Sequence, residues 1–168
     1  NFARESMQLF SIGLVQLNPD GTPLLNAAGA QIPTYDQFTV KGFAHVYTGW
    51  NLAGCEDTPF DQCWYYDHDA PAWRSPMSPY DAQHDSAGSK QLLKYPGVAL
   101  ANGVLPAGGN ARSDLKAALD NVFRHPNVGP FIGRQLIQRL VTSNPTPAYV
   151  QRVAAAFNNN GAGVRGDL

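Results

Sequence analysis

The sequence predicts a mainly α-helical fold: a helical domain with a β-hairpin and a loop-rich insertion containing short strands. Three observations carry that expectation. Apolar residues recur at helical spacing in five separate windows. The run VQLNPDGTPLL sets two extended segments around Asn18-Pro19-Asp20-Gly21, where proline presets φ and glycine accepts a positive one. Residues 51 to 110 lose periodicity and gather turn-formers such as AGCEDTPFDQ, DHDAPAWRSPMSPY and LPAGGN, a stretch too long to lack short strands in a compact domain.

Each element has its own signal. Ala3, Met7, Phe10 and Leu14 trace the stripe of a first amphipathic helix that ends near Gly13. The hairpin is expected near residues 15 to 26. Thr34 followed by Gln37 has the form of a capping box, and Val40, Phe43, Val46, Tyr47 and Trp50 fall on one face of a second helix reaching about Gly49. After the insertion, Leu115, Ala118, Leu119, Val122 and Phe123 form a stripe that His125-Pro126 stops. Asn127 is placed to cap a helix with Phe131, Leu136, Ile137, Leu140 and Val141 on its core face. Thr146 and Pro147 then make an N-cap and first-turn proline for a last helix burying Val150, Val153, Ala154 and Phe157. The closing VRGDL reads as a helix start capped by Asp167, which makes the RGD at 165 to 167 a chance match to an adhesion sequence.

Composition narrows the partners. A net charge of -1 gives no electrostatic footprint for nucleic acid or an anionic membrane, and no run approaches the roughly 18 apolar residues of a membrane span. Only 15% of residues are charged, while Gly (16) and Pro (13) are frequent, a balance suited to a loop-rich extracytoplasmic protein. Cys55 and Cys63 are close enough in sequence for a local disulfide in an oxidising compartment, and one isolated pair does not make a four-ligand zinc pattern.

Four blocks in order, NFARESMQLFSIG, FTVKGFAHVYTGW, HDSAGSKQLL and FRHPNVGPFIGRQLIQRLVTSNPTPAYVQRVAAAF, resemble successive motifs of a bacterial family catalogued as domain of unknown function 1800. The resemblance covers essentially the whole chain. It implies a single helical domain fragment, residues 1 to 168, internal to a longer parent. It also implies export to the periplasm or medium and genes neighbouring those of sulfatase-like proteins, with no assigned reaction. Two positions depart from the pattern: Gln8 stands where similar sequences carry glutamate, and His45 where they carry arginine.

The residues that could carry chemistry are few. Arg4 and Glu5 read either as a charge-assisted clamp with a catalytic role or as a structural pair tying the first helix to the loop region. Asp67-His68-Asp69 and Asp81, His84 and Asp85 offer imidazole and carboxylate ligands for a divalent metal that activates water, with Glu5, His84 and Asp85 in acid–base positions. The same strings also suit Asx turns and loop hydrogen bonds. His45 falls on the solvent face of its helix beside Lys41 and Thr48, and His125 is placed to cap helix carbonyls as an imidazolium. HDSAGSK lacks the spacing of a phosphate loop, and no G-x-S-x-G elbow is present. Trp50, Trp64, Tyr66 and Trp73 suit either stacking on sugars or a partner, or packing of a strand-poor segment.

Two functions follow. The first is an exported module of unassigned activity that binds a polysaccharide or a sulfatase-like partner protein through the aromatic loop region. The alternative is a metal-assisted hydrolase acting on an extracellular ester or glycan, with a divalent metal as cofactor.

Overall fold

The computed structural model describes residues 1 to 55 and 74 to 167. Among them are five α-helices: α1 (Phe2–Gln8), α2 (Gln37–Val46), α3 (Ala111–Phe123), α4 (Val128–Leu140) and α5 (Pro147–Asn158). The protein is mainly helical. Two antiparallel pairs lie between α2 and α3: β1 (Trp50–Asn51) with β2 (Ser78–Pro79), and β3 (Lys90–Gln91) with β4 (Val104–Leu105).

α1 is shorter than its stripe suggests. Ala3 and Met7 are buried, but the helix stops at Gln8, and Phe10 and Leu14 are exposed at 71% and 55%. Ile12 takes the core place instead, because the chain turns back and its amide bonds the Met7 carbonyl at 2.9 Å.

The expected hairpin is one part of a three-way arrangement of isolated bridges, Val15 with Pro33, Leu17 with Pro23 and Leu25 with Gln31. Its hydrogen bonds run in a ring. Gln16 N–H donates to Ile32 (2.8 Å), Ile32 to Leu24 (3.2 Å) and Leu24 to Gln16 (2.7 Å). The sequence basis is two Asn-x-x-Gly turns, Asn18 to Gly21 and Asn26 to Gly29, each closed by a glycine N–H on the asparagine carbonyl at 2.9 Å. Pro23 and Pro33 sit where no ladder donor is required.

The cap of α2 is Asp36, whose carboxylate accepts from Thr39 N–H at 2.8 Å. Thr34, read as the cap, gives its hydroxyl to the Gly13 carbonyl instead. Phe43 and Val46 are fully buried, with Val40 and Tyr47 packed beside them. Gly42 lets β3 lie directly on the helix, since a Cβ there would stand 1.9 Å from the Gln91 carbonyl oxygen.

The later helices bury other faces than the apolar stripes marked. On α3 the inward residues are Ala111, Asp114, Ala118 and Asn121, while Leu119 and Phe123 are 54% and 42% exposed. Small and polar side chains go inside because Asn121 bonds both the N–H and the C=O of Leu93, each at 3.0 Å. On α4, Gly129, Pro130, Gly133 and Ile137 are buried, Gly129 and Gly133 against α5, and Leu140 and Val141 are exposed. The glycines permit that close approach. Asn127 does not cap α4; its buried amide donates to the Ile12 and Val15 carbonyls and accepts from Leu17 N–H, tying the helix to the bridge region.

α5 starts as expected, with Thr146 Oγ1 accepting from Tyr149 N–H and Pro147 in the first turn. Residues 165 and 166 form a bend, and the helix expected after Asp167 lies outside the described residues. Arg165 lies over the Phe123 and Phe157 rings and donates to the Phe123 and His125 carbonyls, which occupies the arginine of the RGD string.

Candidate functional site

Two charged groups organise the face between α2 and α3. The first is inside. Asp114 on α3 is buried, and its Oδ2 accepts from Lys90 Nζ at 2.8 Å and His84 Nε2 at 3.0 Å. The His84 side chain has 0% exposure and that of Lys90 2%. Burial works to raise the Asp114 carboxyl, but the hydrogen bonds and charges of Lys90 and His84 outweigh it and hold the group below its ordinary value. One carboxylate therefore fastens both ends of the loop from His84 to Lys90.

The turn after α2 closes on the same ring. His84 Nδ1 lies 3.0 Å from the Thr48 carbonyl, so both ring nitrogens face acceptors and both are placed to donate. Gly49 makes this approach possible: it adopts φ +74°, and a Cβ there would stand 2.7 Å from the His84 side chain. Thr48 Oγ1 donates to the His45 carbonyl and accepts from Asp85 N–H at 2.9 Å, joining the end of α2 to the loop.

The second group is at the surface. Asp85, next to the sealed His84, turns outward and meets His45 Nδ1 on α2, with both side chains about one-third exposed (38% and 34%). The hydrogen bond from His45 holds the Asp85 carboxyl below its ordinary value, against a smaller effect of burial. An ionised carboxylate only accepts, so a neutral His45 must carry its proton on Nδ1 and leave the Nε2 lone pair free. The pair stands at a cleft of about 320 Å³, lined also by Phe38, Lys41, Ser89 and Gln91. A larger groove of about 530 Å³ beside α1 and α4 is lined chiefly by Leu9, Leu14, Val15, Leu17 and Phe131 and holds no acid–base pair.

The residues singled out from sequence are distributed unevenly over this geometry. Asp85 is in the cleft, and His84 is beneath it with no path to solvent, so a substrate-facing acid or base at His84 has no room to act. Arg4 and Glu5 are exposed on α1 and do not line the cleft; Arg4 donates to Gln37 Oε1 at 3.0 Å, fastening α1 to the start of α2. Asp81 accepts from Ala111 N–H at 2.9 Å, serving the start of α3. Trp50 is half-buried at β1, and its buried Nε1 has no hydrogen-bond partner among the described residues.

Asp67, His68, Asp69, Trp64, Tyr66, Trp73 and Cys63 lie outside the described residues; Cys55 is buried. No group of three or more His, Cys, Asp or Glu side chains converges as a metal site among the described residues.

His125 differs from its expected role. It is 3% exposed, and its Nδ1 accepts from Asn127 N–H at 3.1 Å, which requires a nitrogen without a proton. Burial, and then the Arg165 guanidinium, lower its pKa from 6.5 to about 4, so the ring is neutral and caps nothing as a cation. Sequence reasoning also missed Asp114. The available signal was a carboxylate in step with Ala111 and Ala118 on one face of α3, where a polar residue must have a buried partner.

Fold and site together define a helical domain with an exposed His–Asp pair held over a buried ionic clamp. The chain belongs to the family described as protein of unknown function DUF1800, whose model matches residues 1–168. No curated protein and no solved structure matches the chain significantly. Among the described residues no helix is long and apolar enough to cross a membrane.

Proposed function

We propose that this chain is an exported bacterial module that holds a polar group of an extracellular polymer in the cleft between α2 and the 85 to 91 loop. The observation that supports the reading is the His45–Asp85 pair, about one-third exposed at a concave site beside Lys41 and Ser89. Trp50, Trp64, Tyr66 and Trp73 extend the binding surface in this reading, and a Cys55–Cys63 disulfide braces the segment that carries the last three. A periplasmic or secreted location supplies the oxidising compartment that disulfide needs. A sulfatase-like protein is the partner that would share the polymer.

The test is NMR observation of the His45 ring while a panel of polysaccharide fragments is added to the full chain. Displacement of the His45 signals by at least one fragment supports the cleft; a panel that moves only signals distant from α2 overturns it.

The same pair favours hydrolysis of an ester or glycan as a second reading. A histidine oriented by a carboxylate, with its other nitrogen free, has the geometry of a general base. Here His45 takes the role that sequence gave to His84, while Arg4 and Glu5 remain candidates only for contacts along α1. In the metal-assisted form, Asp67, His68 and Asp69 would supply ligands. Turnover of an ester or glycoside substrate that falls at least about tenfold in His45→Gln, together with metal bound in proportion to protein and lost in His68→Ala, supports this reading. Turnover unchanged by His45→Gln removes it.

A further inference from the structure

The walls of the cleft differ in chemistry, and the difference points to a ligand class. Phe38, Lys41 and His45 occupy positions three and four residues apart, so they form one stripe along α2 spanning roughly 10 Å at 1.5 Å per residue. Phe38 is 74% exposed, an unusual place for a phenyl ring when Phe43 on the opposite face is fully buried. It offers a flat apolar surface at one end of the cleft.

Lys90 is matched by Asp114 beneath the floor, and the Asp85 carboxylate is engaged by the hydrogen bond from His45. Lys41 is exposed, lines the cleft and has no ion-pair partner among the described residues. The cleft therefore presents one ammonium without an ion pair among the described residues, set between an aromatic ring and an imidazole, with the Ser89 hydroxyl on the facing loop.

We infer that the cleft takes an anionic sugar unit. The Phe38 ring covers the apolar face of the pyranose, Lys41 pairs with its carboxylate or sulfate, and His45 Nε2 and Ser89 bond its hydroxyls. A neutral sugar would leave Lys41 without a partner, and a simple inorganic anion would make no use of Phe38. This inference rests on the reading of the cleft as the binding site, and deepens it to a substrate class.

Calorimetric and NMR titration of the full chain with three oligosaccharides of equal length tests it: a uronate, a sulfated and a neutral one. The expected result is that one or both acidic oligomers shift the Phe38 and His45 signals and bind at least about tenfold tighter than the neutral one, a difference of about 1.4 kcal/mol. The tighter of the two acidic oligomers identifies the anion. Lys41→Gln should abolish that preference, and Phe38→Ala should weaken both kinds of oligomer. Both side chains are exposed, so the variants should fold. Equal affinity for neutral and acidic oligomers, or a preference unchanged in Lys41→Gln, overturns the anionic assignment while leaving the cleft intact. No shift at α2 with any oligomer overturns the assignment and the underlying reading together.

Discussion

At the scale of single residues, the account turns on which charges are buried with partners. Asp114 pairs with both Lys90 and His84 in their buried pocket, so Asp114→Asn leaves two cationic or donor groups without that acceptor charge. Removing one partner of a buried ion pair costs about 3–5 kcal/mol. Urea denaturation of the variant should show a loss of that order, and a change below about 1 kcal/mol would mean that the clamp is weaker than its geometry. Lys116–Asp120 is the contrasting pair, with side chains 78% and 52% exposed. Lys116→Ala should cost only about 0.3–0.5 kcal/mol. His125 gives a prediction in pH. Its folded pKa of about 4 is below the unfolded 6.5, so between those values the unfolded chain binds a proton that the folded chain refuses. Stability from this source is complete above pH 6.5 and falls on acidification toward pH 4, by about 3 kcal/mol over the full window. Denaturation midpoints from pH 7.5 to 4.5 should show this slope, and His125→Asn should flatten it. Asp114 also loses stability in acid, but its lowered carboxyl places that loss below 3.8.

At the scale of elements, close approaches decide where the site is. β3 can lie on α2 only because position 42 is glycine, so Gly42→Ala should push the 85 to 91 loop off the helix and destabilise by about 1–3 kcal/mol. Thermal unfolding measures the loss, and the His45 ring signals report whether the cleft opens. A variant as stable as the parent would contradict the packing. Asn127 joins α4 to the 12 to 17 segment through three hydrogen bonds. These features explain what the sequence could and could not show. Helix positions were legible because α2 carries a clear apolar stripe and α5 both a stripe and the cap Thr146-Pro147, although the α2 cap is Asp36 and not Thr34. The buried faces of α3 and α4 were not, because they pack through Gly133, Ala118, Asn121 and Asp114, whose inward orientation depends on partners distant in the chain. The three-way bridge region escaped for a related reason: its eight-residue spacing from Asn18 to Asn26 is too short for a repeat of whole elements.

At the scale of the whole molecule, the fold holds an outward His45–Asp85 pair over the buried cluster of Asp114, Lys90 and His84. Asp85 was legible as a site residue and His45 only as a solvated one, since their meeting needs the His84 to Lys90 loop to be fastened from below by a helix that begins some twenty residues later. The most direct test is the ¹⁵N NMR tautomer pattern of His45 in its neutral form. The structure predicts the proton on Nδ1, facing Asp85, with Nε2 unprotonated, and loss of that preference in Asp85→Asn. A neutral ring protonated on Nε2, or a pattern indifferent to Asp85→Asn, would contradict the account.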